Sequence, residues 1–188
     1  MDDARFIEAV LCNPVNRVVL ERLPMLNLDD AWLVSGALFQ TVWNCLTGRS
    51  PEYGIKDYDI FYFDPDTSWA AEDAVIRRAA ACLSDVDAHI ELRNQGRVHL
   101  WYPEKFGTPY PPLRRSTDGI DRFLAATAQI GIRPAGAGFQ LYAPHGFDDV
   151  ATLTVRPHDC PNFRADLYNA KAASWKSRWP ELTVLSAV

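Results

Sequence analysis

The sequence has no long hydrophobic run, no closely spaced cysteine pair and no excess of positive charge. No window approaches the roughly 20 apolar residues that are needed to cross a membrane. The four cysteines, at positions 12, 45, 82 and 160, are scattered without a CxxC pair, which is not the pattern of a disulfide framework. The stretch after Met1 is acidic and amphipathic. We therefore expect no signal peptide and a cytoplasmic protein with reduced thiols.

The charge balance bears on which partners the protein can bind. The 19 Lys and Arg residues against 24 Asp and Glu residues give a formal net charge of −5. A chain with this balance has no general attraction for a phosphate backbone, so we expect that long nucleic acid is not a partner. Hydrophobic residues make up 48% of the 188 residues, which is enough to fill the core of one domain.

Helical and strand patterns alternate along the chain and predict a mixed α/β (α+β) fold. We expect a single domain over residues 1–188, with a helical part at 1–30, a catalytic core at 31–106, and a β-rich part with a C-terminal helix at 107–188. The pattern predicts strands at 31–34, 57–63, 88–93, 130–132, 138–142 and 150–155, and helices at 37–46, 69–83, 97–106, 116–127 and 165–175.

Two aspartates begin the second predicted strand. Residues i and i+2 of a strand point to the same face, so Asp57 and Asp59 aim at one spot. Adjacent carboxylates repel each other unless a cation lies between them, and Mg²⁺ (or Mn²⁺) suits such oxygen ligands. Glu91, central in the next strand, completes a three-carboxylate metal site if the strands are neighbours. The alternatives are a solvated turn at the aspartates and an ion pair of Glu91 with Arg93 or Arg97.

Nucleotide binding is predicted at two places. The strand-to-helix turn at Ser35 and Gly36 offers close backbone approach and free N–H groups at the start of a helix. Arg93 and Arg97 follow the third strand, where their guanidinium groups can hold phosphate. The alternative is that both arginines are solvated.

Other polar and aromatic residues are assigned to structure. We favour packing over base stacking for His99, Trp101 and Tyr102. Lys171 and Lys176, on the last predicted helix, could reach a triphosphate, but we expect exposed lysines on a terminal helix to face water.

Several segments resemble a known superfamily. Residues 34–37 followed by 57–60 resemble the glycine-then-Asp-x-Asp signature of the polymerase-β-like nucleotidyltransferases. A closer resemblance covers nearly the whole chain and is to a bacterial nucleotidyltransferase-like family of unassigned substrate. It is carried by residues 36–44, 56–64, 92–102 and 143–149, and the Arg-Asn-Gln…His-x-Trp-Tyr run is its most specific part.

The resemblance implies a nucleotidyltransferase-like mixed sheet flanked by helices, with Mg²⁺ and a nucleoside triphosphate at its edge. Gly36 would line the phosphates, Asp57 and Asp59 would hold the metal, and Glu91 would be the third acidic residue. Ala37 departs from the Gly-Gly or Gly-Ser that the superfamily usually has after the strand.

Three functions are consistent with these residues. The first is a metal-dependent nucleotidyltransferase that moves a nucleoside monophosphate from a nucleoside triphosphate to an unknown hydroxyl acceptor. The second is a non-catalytic nucleotide-binding or interaction module of the same fold, and the third is a metal-dependent phosphohydrolase. The three acidic residues favour the first, whereas Ala37 and the absence of a strong basic patch favour the second.

Overall fold

The computed structural model describes residues 1–188 and contains eight α-helices and seven strands. In chain order they are α1 (Asp3–Leu11), α2 (Pro14–Arg22), β1 (Trp32–Val34), α3 (Gly36–Leu46), β2 (Tyr58–Tyr62), α4 (Trp69–Cys82), β3 (Ile90–Asn94), α5 (Val98–Phe106), α6 (Ser116–Ile120), β4 (Gly131–Ala135), β5 (Gly138–Tyr142), α7 (Asp148–Ala151), β6 (Thr154–Val155), α8 (Ala165–Arg178) and β7 (Thr183–Val184). None of the helices combines the length and the apolar character that a membrane crossing demands.

Five of the strands form a mixed sheet in the order β3-β2-β1-β4-β5. β1 is antiparallel to both of its neighbours, β2 and β4, and β4 is antiparallel to β5. β2 and β3 are parallel, as a strand–helix–strand unit with α4 as its crossover requires. The short β6 and β7 form a separate parallel pair. The predicted mixed sheet flanked by helices is therefore confirmed.

Alternation along the strands gives the sheet two different faces. The packed face carries Leu33, Ile60, Leu92 and Ile132, which join the main hydrophobic core. Aromatic rings of α3 and α8 complete this core, with Phe39 and Trp175 in edge contact at 5.2 Å between ring centroids. The N-terminal helices, α3, α4 and α8 all contribute to it.

The open face carries the residues between them: Val34 on β1, Asp59 and Phe61 on β2, and Glu91 and Arg93 on β3. It is covered over β1 and β4 by Ile120, and Phe123 stacks on Phe61 with ring centroids 5.5 Å apart. The remainder of this face borders a cavity.

Side-chain caps begin three of the helices. Asp2, Asn13 and Ser68 each accept a hydrogen bond from a backbone N–H of the first turn that follows. Asn13 also donates to Thr41 Oγ1 at 3.0 Å and to Tyr58 Oη at 3.1 Å. This buried network ties the α1–α2 junction to α3 and to the start of β2, and so fixes the position of the neighbouring aspartates.

Three local predictions are corrected. The helix predicted at 116–127 ends at Ile120, and the strand predicted at 150–155 is the end of α7 followed by the two residues of β6. The last helix extends to Arg178. Glu72, in the first turn of α4, accepts through a carboxylate oxygen from the Asn94 backbone N–H at 3.0 Å.

Candidate functional site

Three carboxylates meet at one end of the open face. Asp57 directly precedes β2, and Asp59 is its second residue. In the parallel β2–β3 ladder the register partner of Asp59 is Glu91, so their side chains leave the sheet on the same face. The structure therefore brings together the three acidic residues that the sequence singled out. We call them the carboxylate cluster.

Burial and neighbouring negative charge both act on the ionisation of Asp59 in the carboxylate cluster. Burial, the charge of Asp57 and that of Glu91 raise the pKa of Asp59 to about 7, against the opposing effects of Lys171 and Arg93. Burial is the largest of these effects. A carboxyl group with such a pKa holds its proton in about half of the molecules at neutral pH.

Glu91 is already engaged by a cation. Its Oε2 lies 3.0 Å from Nη2 of Arg93, and its Oε1 lies 3.8 Å from Nδ1 of His89. The ion pair with Arg93 was one of the alternatives that the sequence left open. As the side chains are placed, no group of three or more His, Cys, Asp or Glu residues is arranged to hold a metal ion.

The turn between β1 and α3 lies beside the carboxylate cluster, because Val34 is the register partner of Asp59. Its left-handed residue is Ser35, with φ 54° and ψ −115°, and not Gly36, which begins the helix. Ser35 O accepts from the N–H groups of Leu38 and Phe39. The N–H groups of Gly36 and Ala37 precede these in the first turn and have no intrahelical acceptor.

Ala37 bears less on phosphate binding than the sequence comparison suggested. The residue lies inside α3, is fully buried, and its carbonyl accepts from Asn16 Nδ2 at 2.9 Å. Its methyl group therefore belongs to the core, and a hydroxyl at this position would not point toward the carboxylate cluster.

Two cations that we did not assign to the site come from α8. Lys171 lowers the pKa of Asp59 through its charge, and its Nζ lies 5.8 Å from the ring centre of Trp175. Arg178 lies close enough to Asp57 for that charge to oppose the lowering of the Arg178 pKa by burial. Arg178 also donates to the carbonyl of Gly54.

Both α8 lysines are exposed, as expected, but Lys171 also lines the cavity described below and acts on Asp59 through its charge. A signal was present, since Lys171 precedes the buried Trp175 by one helical turn. Lys176 lies elsewhere and donates to the carbonyl of Pro180 at 2.7 Å.

Arg97 does not reach the carboxylate cluster. Its Nε lies 2.8 Å from Glu72 Oε2, with both side chains 13% exposed, and it also donates to the carbonyl of Thr67. Arg93, by contrast, stays on the open face beside Glu91. The structure therefore separates the two arginines that the sequence grouped together.

A cavity of about 350 Å³ adjoins the carboxylate cluster on the open face. Phe61, Arg93 and Lys171 line it next to the cluster, and Trp101 and Tyr102 of α5 line its far side. Tyr102 also packs against Tyr110, with ring centroids 4.4 Å apart. These α5 aromatics do pack, as expected, but they pack around an open space.

Comparison with known proteins places the chain in a family. The sequence model of a family described as nucleotidyltransferase matches residues 21–184, and the chain belongs to this family. Membership implies a nucleoside triphosphate as substrate. No curated protein matches the chain significantly.

A solved structure agrees with this fold. An NMR structure described as revealing a CCA-adding enzyme head domain superimposes with a TM-score of 0.79, at 24% identity. The match covers 99% of this chain and 97% of that one. At this level of identity, the likeness concerns the fold alone.

Proposed function

We propose that the protein transfers a nucleoside monophosphate from a nucleoside triphosphate to a hydroxyl group, with Asp57, Asp59 and Glu91 as the catalytic and metal-binding residues. The observation that carries this proposal is the convergence of the three carboxylates on one face, where burial, together with the charges of Asp57 and Glu91, raises the pKa of Asp59 to about 7. Folding tolerates such repulsion most readily where a cation offsets it in the working protein.

The residue types of the carboxylate cluster suit a divalent ion. Carboxylate oxygens are the ligands that Mg²⁺ and Mn²⁺ take in proteins, usually one or two together with substrate phosphates. Asp57 and Asp59 would hold the ion, and Glu91 would join them as it exchanges its contact with Arg93. When bound, the ion supplies charge neutralisation at the phosphates and acidifies the attacking hydroxyl.

The chain's own groups can hold the triphosphate. The free N–H groups at the start of α3, after Ser35 and Gly36, are donors of the kind that bind phosphate. Lys171 and Arg93 add positive charge on the other side of Asp59. With the donors in fixed positions, the α-phosphate is held close to the carboxylate cluster.

The transfer step follows from this arrangement. The acceptor oxygen forms a bond to the α-phosphorus, the bond from that phosphorus to the bridging oxygen breaks, and pyrophosphate leaves with the electron pair. We assign to Glu91 the role of receiving the hydroxyl proton, for which its ion pair with Arg93 would have to break.

The net charge of the protein restricts the classes of acceptor that it can bind. Membership of the nucleotidyltransferase family supports nucleotide addition to an acceptor. The net charge of −5 argues against a long nucleic acid as acceptor, since such binding depends on cationic contacts with phosphates. We therefore propose a small molecule, a protein or a short RNA end.

The test measures metal-dependent nucleotide binding first and nucleotidyl transfer second. The unfolding temperature of the wild type should rise when Mg²⁺ or Mn²⁺ and a nucleoside triphosphate are added. At a nucleotide concentration of 100 times the dissociation constant, the folded state should gain about 2.7 kcal/mol of stability. The double variant Asp57→Asn/Asp59→Asn should show no metal-dependent shift. Glu8→Gln/Glu21→Gln is a matched control, because it alters two exposed acids of the N-terminal helices. Equal shifts in all three proteins would remove the assigned site.

Transfer is then measured with an α-labelled nucleoside triphosphate and cell extract. The wild type should label an acceptor, and the Asp57→Asn/Asp59→Asn variant should lose about a thousandfold or more of that rate. Metal-dependent binding without transfer to any acceptor would favour the non-catalytic module, for which the ion pair of Glu91 with Arg93 is the supporting observation.

A further inference from the structure

The cavity on the open face has the size and lining of a ligand site. Its volume of about 350 Å³ is within the range of small-molecule sites, which begins near 300 Å³. It lies between the open face and helices α5, α6 and α8, and most of its lining is aromatic or aliphatic. Arg93, Arg122 and Lys171 are its charged residues, and no carboxylate lines it.

The lining of the cavity includes a buried amide with an unused acceptor. Asn162 is 2% exposed, and its Nδ2 donates to Tyr102 Oη at 3.0 Å and to the Arg122 carbonyl at 3.2 Å. These two bonds fix which way the amide points. Its Oδ1 is buried and has no hydrogen-bond partner.

An unused donor lies in the same wall. Nη1 of Arg122 is buried without a partner, and the guanidinium lies 5.6 Å from the ring centre of Tyr110. A buried polar group without a partner costs about 1–3 kcal/mol, so two in one wall are expensive unless a ligand pairs with them. A ligand that offers both an acceptor and a donor on an otherwise flat, apolar body would satisfy both.

We propose that this cavity binds the base of the nucleoside triphosphate and that Asn162 and Arg122 select it. A nucleobase presents adjacent donors and acceptors on its edge and a π face that suits Tyr102, Tyr110 and Trp101. The near end of the cavity is lined by Phe61, Arg93 and Lys171, so phosphates at the carboxylate cluster connect directly to a base farther inside. The inference rests on the proposed function.

The test compares base preference with triphosphate binding. Affinities for the four common ribonucleoside triphosphates are measured with Mg²⁺ on the wild type, Arg122→Met and Asn162→Leu. The wild type should prefer one base, or the purines or pyrimidines as a pair, by about tenfold or more, because a mismatched edge leaves buried groups unpaired. In both variants the preference should fall below about threefold. Arg114→Met, an exposed arginine outside the cavity, is the control and should keep the preference.

Inorganic tripolyphosphate with Mn²⁺ separates this inference from the proposed function. Its affinity should be unchanged in the Arg122→Met and Asn162→Leu variants and lost in Asp57→Asn/Asp59→Asn. Loss of tripolyphosphate binding in the cavity variants would place phosphate in the cavity and overturn the base assignment, whereas its absence in the wild type would count against the proposed function. Because Asn162 also holds Tyr102, the near-ultraviolet circular dichroism of its variant is compared with that of the wild type. Arg122→Met removes no side-chain hydrogen bond and serves where Asn162→Leu fails to fold.

Two further results would overturn the base assignment. One is a wild-type base preference that persists in folded Arg122→Met. The other is a free nucleoside that binds alongside saturating nucleoside triphosphate and loses affinity in both variants, which would place the acceptor in the cavity.

Discussion

The two faces of the central sheet are built from alternate residues of the same strands, and they differ in almost every physical respect. On β2, Ile60 is fully buried in the packed face, whereas its neighbours Asp59 and Phe61 are partly exposed on the open face. The packed face is filled by side chains from the surrounding helices. The open face has charged groups of both signs and a cavity.

The two faces have separate roles: the packed face supplies stability, and the open face carries the chemically active groups. Burial of apolar area on the packed face supplies the free energy that holds the strands in register. On the open face the same register sets Asp59 beside Glu91, and the charges of Lys171 and Arg93 only partly offset the effect of burial and repulsion on Asp59. A fold can carry such a destabilising arrangement because the other face offsets it, as functional sites commonly require.

The largest expected effect comes from truncating two neighbouring residues of β2, one on each face of the sheet, to alanine. Ile60→Ala should lower the free energy of unfolding by about 3–4 kcal/mol, because it leaves a cavity in the packed core. Phe61→Ala should cost about 1–2 kcal/mol, since that ring is partly exposed and its main partner is Phe123. Urea unfolding of both variants measures this, with Mg²⁺-nucleotide affinity measured in parallel.

Only the Phe61 variant should lose affinity, by about tenfold. Equal losses of stability in the two variants, or equal losses of affinity, would show that the faces are not divided as described.

The next effect is the pH dependence of stability, which arises on the open face. The pKa of Asp59 is raised to about 7 in the folded protein, so the unfolded chain releases this proton first as the pH rises. Stability from this group is complete below about pH 4 and is lost as the pH rises through about 7. Asp59→Asn should therefore be more stable than the wild type by about 2 kcal/mol at pH 8, after allowance for its partial exposure, and nearly equal to it at pH 4.

Chemical denaturation from pH 4 to 8 in the absence of divalent ions checks this prediction. Using the difference between the two proteins cancels the other titrating groups, such as Asp85, whose pKa is lowered to about 2 by Arg22. A difference that does not change with pH would mean that Asp59 is free of the repulsion attributed to the carboxylate cluster.

A smaller effect separates the two lysines of α8. Lys171→Met should weaken nucleoside triphosphate binding by about tenfold at low salt and less at high salt, because its charge acts on Asp59 at the open face. Lys176→Met should leave affinity unchanged, since its ammonium group donates to the carbonyl of Pro180. Titration calorimetry at two ionic strengths distinguishes them, and a similar loss in both variants would contradict the placement of Lys171.

The sequence predicted the parts of this comparison that depend on local pattern. Strand alternation indicated that Asp57 and Asp59 act at one place, and the helix predicted at 69–83 is α4 to within one residue. The predictions failed where distant packing decides the outcome. The helix from Ser116 ends at Ile120, where the chain turns so that Phe123 can cover Phe61.

The contacts that individual side chains make were harder to predict than the helices and strands. Arg97 pairs with Glu72, which α4 brings alongside the end of β3, and nothing in the local sequence indicates that partner. The same holds for Lys171, which is 112 positions beyond Asp59 and reaches it only because α8 packs on α3. The cavity is formed by α5, α6 and α8 together, so no single segment could predict it.

The smallest expected effect concerns the turn at Ser35, between β1 and α3. Ser35 holds φ 54°, a conformation that costs a residue with a side chain about 1–3 kcal/mol and glycine much less. Ser35→Gly should therefore raise the free energy of unfolding by about 1 kcal/mol, after the entropy that glycine gains in the unfolded chain is subtracted. Ala37→Gly, two residues later in regular helix, should lower it by about 1 kcal/mol or more, because it loses helix propensity and a buried methyl group. Opposite signs from the same substituent within one turn would show that strain is confined to the residue beside the carboxylate cluster. A destabilised Ser35→Gly would mean instead that the Ser35 side chain contributes more to the turn than its backbone conformation costs.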